Sequence, residues 1–211
     1  MNKKSRLFAA AIFATSIIPN VALAAMLATA VTDLNIRSGP GPEYPVIGFI
    51  QAQDPVTMIG CIEGSLWCQI THKGKGGWAY SQYLATQSAG NRVIISERRP
   101  GVVVPTVTYT STSGETVAAG AITGALVAGP VGAVVGGVAG AALDPPQQVR
   151  TYVTSNPADP VYLEGEVVVG AGLPETVQLR PVPDYNYRYV YVNRQPVLVD
   201  PTSRRIVYVY R

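Results

Sequence analysis

Short apolar runs alternate with turn residues along the chain from Ala28 to Leu84. The apolar runs read DLNIR, PVIGFI, PVTMIG, WCQITH and GGWAY, and the turn-forming stretches SGPGPEY, QAQD, EGS and KGKG separate them. A period of two is typical of half-buried strands, and closely spaced turns favour a small antiparallel barrel. The pattern predicts such a barrel over residues 25–88 and a mainly β protein.

Residues 147–211 return to strand patterning. The sequence YNYRYVYVN is followed by PVLVD and RRIVYVYR, with turns at Asn193-Arg194 and Asp200-Pro201. This predicts a three-stranded antiparallel meander, to which VYLEGEVVVG and TVQLRPVP add earlier strands. Alternate tyrosines fall on one face, and they form either a binding face or cross-strand aromatic packing: Tyr185, Tyr187, Tyr189 and Tyr191.

The residues between these two parts have a different composition. Residues 89–116 contain RRPG, Pro105 and TVTYTSTSG, which predict an extended linker that needs no packed core. Residues 117–143 carry no formal charge, and small residues recur at every fourth position: Gly120, Gly124, Ala128, Gly132, Gly136 and Gly140.

On a helix that spacing forms a narrow stripe for close helix packing. Gly129-Pro130 interrupts the run, so we predict a helical hairpin over 117–143 whose halves are too short to cross a bilayer. A disordered Gly/Ala linker is the alternative. The run resembles the glycine-zipper segments of bacterial envelope proteins, which implies association with a membrane or with copies of itself.

The first 24 residues have the features of a signal peptide. A basic start with Lys3, Lys4 and Arg6 precedes the short apolar run LFAAAIFATSII and small residues at Ala22–Ala24. We predict cleavage after residue 24 and a location in the periplasm or cell envelope, or secretion; an uncleaved anchor is the alternative. Removal leaves 13 of the 16 basic residues against 13 acidic ones, so the mature chain lacks the basic excess of a nucleic-acid binder.

Cys61 and Cys68 are the two cysteines of the chain. In GCIEGSLWCQI the turn-forming Glu63, Gly64 and Ser65 would place the cysteines opposite each other on neighbouring strands. Exported proteins reach oxidising compartments, so we predict a disulfide rather than two buried thiols.

The residues TDLNIRSGPGPEYPVIGFI, VTMIG, SLWCQI and GKGGWAYSQYL resemble the bacterial SH3-like domain of cell-envelope proteins over about residues 26–86. The resemblance implies a five- or six-stranded barrel that binds peptides or cell-wall material and is not an enzyme. The stretches GAGLPETVQLRPVPDY and VLVDPTSRRIVYV resemble an uncharacterised C-terminal domain of bacterial envelope proteins, which implies a boundary but no activity.

A ligand surface is predicted between the loop 38–44 and Trp78, with Tyr44 and Tyr80 as further contacts. At least half of the barrel aromatics should instead be core. Asn35 and Arg37 either satisfy backbone carbonyls of the Gly/Pro loop, which we favour, or contact a ligand.

The sequence offers few candidate catalytic residues. His72 is the one histidine, and Glu164 and Glu166, which share a strand face, are interpreted as solvated glutamates. We therefore expect no enzyme activity, cofactor or metal. The leading hypothesis is a non-catalytic envelope protein that binds peptidoglycan or an envelope protein; the alternative is an assembly protein that self-associates or attaches to a membrane through the glycine run.

Overall fold

The computed structural model of the chain describes residues 25–110, 122–125 and 144–211, with only the backbone of Ile122–Ala125. The predicted signal peptide and most of the predicted helical hairpin lie outside these residues. Within the described ranges, no helix has both the length and the apolar character needed to cross a membrane.

The first part is an eight-stranded antiparallel sheet, as the mainly β prediction requires. Its strands are β1 (Met26–Ala30), β2 (Leu34–Arg37), β3 (Val46–Ile50), β4 (Pro55–Cys61), β5 (Trp67–His72), β6 (Lys75–Tyr80), β7 (Leu84–Ser88) and β8 (Asn91–Ile94). They are arranged in the order β3-β2-β6-β5-β4-β1-β7-β8. The five predicted apolar runs form β2 to β6.

The hairpin β7–β8 extends this sheet beyond the predicted boundary. Asn91–Ile94 fall in the predicted linker but pair with β7, from Ser88 opposite Asn91 to Ala85 opposite Ile94. Ala89 and Gly90 join the strands with φ values of 49° and 78°. Two positive φ angles in a two-residue loop match the twist of a hairpin, which explains why the chain turns back here.

The C-terminal part combines one helix with a four-stranded sheet. Its elements are α1 (Gln147–Ser155), β10 (Tyr162–Glu164), β11 (Arg180–Pro181), β12 (Arg188–Val192), β13 (Gln195–Val199) and β14 (Ile206–Val209). Strands β11 to β14 are antiparallel and adjacent in that order, which confirms the predicted meander. The two strands predicted before the meander, in VYLEGEVVVG and TVQLRPVP, are present only as the short β10 and β11.

Both predicted turns join the strands of the meander. Asn193 and Arg194 have φ values of 49° and 67°, the requirement of a two-residue hairpin loop. The Asp200 carboxylate accepts hydrogen bonds of 2.8 Å from the backbone N–H groups of Thr202 and Ser203. An aspartate at the start of a turn commonly stabilises it in this way.

Strand β9 (Ile122–Ala125) pairs parallel to β10, with Ile122 opposite Tyr162. The predicted helix is therefore wrong for these four residues, Gly124 included. The other predicted packing positions, Gly120, Ala128, Gly132, Gly136 and Gly140, lie outside the described residues.

Helix α1, which the sequence analysis did not predict, covers the tyrosine face of the meander. Val149 and Val153 of α1 are buried against Tyr189 and Leu198. The Tyr189 hydroxyl donates to the Asn156 carbonyl at 3.0 Å, and the Tyr191 hydroxyl donates to the Val153 carbonyl at 3.1 Å. Tyr189 and Tyr191 are therefore packing residues rather than an open binding face.

The opposite face of the meander shares a core with the first sheet. One cluster of buried apolar side chains contains Leu34, Ile36 and Ile50 of the first part together with Leu163, Val167, Val190, Val197 and Ile206 of the second. Because burial of apolar surface is the main favourable term in folding, the two parts stabilise each other.

Candidate functional site

The segment Val104–Tyr109, which we call the strap, lies beside the end of strand β4. The Cys61 N–H donates to the Pro105 carbonyl at 2.8 Å, and the Val107 N–H donates to the Cys61 carbonyl at 3.0 Å. Strand β1 pairs with β4 only as far as Met58, so the backbone of Cys61 is left for the strap. The strap lies in the predicted linker, and the prediction that this linker needs no packed core is wrong for these residues.

The strap has a period of two in its burial. Pro105, Val107 and Tyr109 are half-buried, whereas Thr106 and Thr108 are exposed. Val104, Val107 and Tyr109 pack against the main core. This alternation is typical of a strand with one face on a core, and the strap therefore behaves as an added, irregular strand.

Gly60 provides the room for the strap. A Cβ atom at Gly60 would lie 2.8 Å from both the Pro105 carbonyl oxygen and the Val107 Cγ1. Real Cβ atoms do not approach other heavy atoms so closely, so the close passage of this segment over β4 depends on a glycine at position 60.

Tyr109 lies between the two aromatic side chains predicted to form a ligand surface. Its ring contacts Tyr44 at a centroid distance of 6.0 Å and Trp78 at 5.3 Å, both edge to face. Aromatic pairs prefer this geometry because the positive ring edge meets the negative ring face. Tyr44 and Trp78 therefore lie on either side of Tyr109, and the strap fills the groove between them; their role in binding a ligand stays a prediction.

Tyr80, the third predicted contact, lies in a different cluster. Its ring packs against Trp67 at 5.2 Å and Tyr83 at 6.2 Å. Burial, and then the negative charges of Glu164 and Glu166, raise the pKa of Tyr80 to about 12. Tyr80 is 6% exposed, so it acts in the core and at the contact with the C-terminal part rather than in the groove.

Arg37 positions the loop that carries Tyr44. One terminal nitrogen, Nη1, donates to the carbonyls of Pro42 at 3.0 Å and Tyr44 at 2.8 Å. This is the loop-supporting role that we favoured. The loop also needs Gly39, since a Cβ atom there would overlap the Tyr44 ring.

The other side of the Arg37 guanidinium binds Glu166 of the C-terminal part. Nε and Nη2 donate to Oε2 and Oε1, each at 2.6 Å. The Val167 N–H also donates to Glu166 Oε1, at 2.8 Å. Glu166 is only 1% exposed, so the interpretation as a solvated glutamate is wrong for it, whereas Glu164 is exposed.

Asn35 completes this buried polar cluster. Its Nδ2 donates to Glu166 Oε1 at 2.9 Å and to Gln195 Oε1 at 2.8 Å. The expected role of Asn35 at loop carbonyls is therefore wrong, because its side-chain partners come from the C-terminal part. No local sequence pattern predicts hydrogen-bond partners so distant along the chain. Sequence analysis therefore did not identify Glu166 and Gln195 as partners of Asn35.

The predicted disulfide joins Cys61 to Cys68. The two cysteines face each other in the pairing of β4 with β5, as the turn residues between them indicated. The residue that anchors the strap through its backbone is thus also cross-linked to the next strand.

In the described part of the chain, no three His, Cys, Asp or Glu side chains are grouped so that they could hold a metal ion. His72 is buried, with Nδ1 3.2 Å from the Pro55 carbonyl oxygen and Nε2 3.4 Å from Asp54 Oδ2. These contacts join β5 to the start of β4 and assign His72 a structural position.

Each of the two parts contains a region that matches a known protein family. Residues 32–85 match the family described as bacterial SH3 domain, and residues 152–211 match a domain of unknown function, DUF1236. No curated protein shows a significant match to the chain. The resemblances of these two regions drawn from the sequence motifs are confirmed: the chain contains a region that matches bacterial SH3 domains and, after it, a region that matches DUF1236.

Proposed function

We propose that this chain is an exported, non-catalytic protein of the bacterial cell envelope whose SH3 domain binds a protein or cell-wall ligand. The match of residues 32–85 to the bacterial SH3 family supports a binding role. The observation that carries the proposal is the groove between Tyr44 and Trp78, in which an extended segment of polypeptide is already seated. A surface that accepts one extended peptide has the shape and chemistry to accept another.

The contacts in this groove favour a protein ligand over a glycan. Cys61 offers one backbone donor and one backbone acceptor to the strap, which is the pattern that an added strand requires. The aromatic walls then select side chains at alternate positions. Peptidoglycan remains the alternative ligand, and the same experiment tests it.

Export is supported by two independent observations. The first 24 residues carry the basic start, apolar run and small-residue site of a signal peptide. The Cys61–Cys68 disulfide suits an oxidising compartment, since cytosolic thiols are kept reduced.

The binding proposal is tested with the chain lacking its first 24 residues, mixed separately with purified peptidoglycan sacculi and with solubilised envelope proteins, followed by sedimentation or chemical cross-linking. Retention should fall at least several-fold in Tyr44→Ser, because this half-buried ring forms one wall of the groove. Tyr187→Ser is the matched control, since Tyr187 is also half-buried but lies in the C-terminal part beside Tyr185. Equal retention of both variants, or none by the wild type, would reject the proposal.

Export is tested separately by fractionating bacteria that express the full chain and sequencing its N-terminus. We expect a mature protein that begins at Ala25, in the envelope, with Cys61 and Cys68 oxidised. An unprocessed cytosolic chain with two titratable thiols contradicts this part of the proposal.

A further inference from the structure

The strap, Val104–Tyr109, occupies the groove between Tyr44 and Trp78. We propose that the groove takes an extended segment of another protein with valine and an aromatic residue at alternate positions, and that the strap is a built-in competitor for it. The inference rests on the proposed binding function and adds both the class of ligand and its regulation.

The residue spacing follows from the strap itself. Pro105 lies over Gly60 through its carbonyl, Val107 packs beside the same glycine, and Tyr109 fills the space between Tyr44 and Trp78. The intervening threonines are exposed, so they contribute little to selection. A partner segment is therefore defined by two alternate side chains, at the positions of Val107 and Tyr109, and by an extended backbone at Cys61.

The strap is attached more weakly than the strands of the sheet. Among the described residues, its backbone bonds to β4 are the two made by Cys61, whereas β5 pairs with β6 at six successive positions from Trp67 to His72. Its inward side chains are only half-buried. An exchange of the strap for a similar segment would cost few contacts and leave the sheet intact.

A tethered competitor sets a threshold for binding. Residues 95–103 connect the strap to β8, and a short connection keeps its effective concentration at about the millimolar level. If the strap fills the groove for ~90–99% of the time, the apparent affinity for a partner falls ~10- to 100-fold. Only a segment with better contacts than the strap, or one at high local concentration, would then bind.

The first test asks whether the strap packs over Gly60 in solution. In the full chain, Gly60→Ala should speed chymotrypsin cleavage after Tyr109 at least about ten-fold, because the new Cβ displaces Pro105 and Val107. The matched control is Gly76→Ala, since a Cβ at Gly76 meets no atom within 4 Å. The urea midpoint of each variant reports whether the whole fold has weakened. Equal cleavage of both variants with intact folds would overturn the proposal.

The second test measures competition directly. A fluorescent peptide of residues 104–110, VPTVTYT, is titrated against the full chain and its Tyr109→Ala variant. The variant, whose own strap lacks the aromatic anchor, should bind at least about ten-fold more tightly than the wild type. Adding Gly60→Ala to that variant should abolish binding, as should replacing the tyrosine of the peptide by alanine.

The outcomes separate this inference from the proposed function. If the peptide binds no protein while the wild-type chain still retains an envelope ligand through Tyr44, the competitor is refuted and the binding function stands. If the peptide binds as expected but no envelope ligand is retained, the groove is confirmed and the proposed function fails. A wild-type dimer that exchanges straps between two copies would overturn the assignment to a different protein.

Discussion

Arg37 of the SH3 domain and Glu166 of the DUF1236 domain form a buried, bidentate ion pair, with both N–O distances at 2.6 Å. Arg37 is 0% exposed and Glu166 is 1% exposed. Two charges are expensive to remove from water, and good geometry with further hydrogen bonds is what compensates them. Here Asn35, the Val167 N–H and two loop carbonyls supply those bonds, so each domain completes a polar site of the other.

Breaking this pair should destabilise the protein strongly. We expect Glu166→Gln to lower the free energy of unfolding by about 3–5 kcal/mol, because it leaves the Arg37 charge buried without a counterion. Urea denaturation followed by tryptophan fluorescence measures the change. Asp33→Asn is the control: the Asp33–Arg211 pair also joins the two domains, but Asp33 is 45% exposed, and such surface pairs contribute about 0–1 kcal/mol. A loss for Glu166→Gln no larger than the control would contradict the role assigned to the pair.

The two domains should unfold together. Trp67 and Trp78 both lie in the SH3 domain, so fluorescence reports on that part, whereas far-UV circular dichroism reports on both. Because one apolar cluster spans the domains, we expect the two probes to give the same urea midpoint, the signature of a two-state transition. Separate midpoints would mean that the shared core does not couple the domains.

Removal of the disulfide should also be measurable. Replacing Cys61 and Cys68 by serine should cost about 2–3 kcal/mol, since the bond closes a small loop and restricts the unfolded chain. A thiol reductant should lower the urea midpoint of the wild type and leave the double variant unchanged. Wild-type stability that does not respond to reduction would show that the bond contributes nothing.

Alkaline pH should destabilise the fold through buried phenols. Burial raises the pKa of Tyr80 and of Tyr210 to about 12, from about 10 in the unfolded chain. Between these values the unfolded chain loses the phenolic protons and the folded chain keeps them, so the contribution of these two phenols to stability is constant below pH 10 and is lost as pH rises towards 12. Urea midpoints at several pH values test this, and Tyr80→Phe should flatten the decline. An identical decline in that variant would exclude Tyr80 as a source.

The glycine run makes a separate prediction about assembly. If Gly132 and Gly136 line a stripe for helix packing, their replacement by leucine should abolish self-association or detergent dependence of the mature chain. Size-exclusion chromatography with light scattering measures this, with Ala133→Leu as a control off the stripe. A wild-type chain that is a monomer without detergent would contradict the assembly alternative.

The parts predicted well from sequence depend on local signals. Strands β2 to β6 and the meander follow period-two alternation and turn residues, which act between neighbours along the chain. The Cys61–Cys68 bond follows from a turn of the same kind. The Arg37–Glu166 pair has no such signal, because its members are 129 residues apart and a glutamate side chain is usually solvated.

Two further elements, the strap and helix α1, have weak local signals in the sequence. In PTVTYT the apolar residues alternate with threonine, as they would in a strand, but Pro105 and the small polar residues that follow favour a linker. In QQVRTYVTS, Val149, Tyr152 and Val153 share one helical face, yet the segment is short and poor in strong helix formers. Tertiary packing on the core and on the meander decides the structure in both cases.

Helix α1 begins at Gln147, upstream of the residues matched by the DUF1236 family, and its Val149 covers the sheet together with Val153. A protein truncated to the matched residues would expose apolar surface around Tyr189 and Leu198. Its poor solubility would result from the truncation and not from a property of the natural protein. A sequence match can therefore be shorter than the unit that folds on its own. The folding unit must include every element that covers the apolar interior.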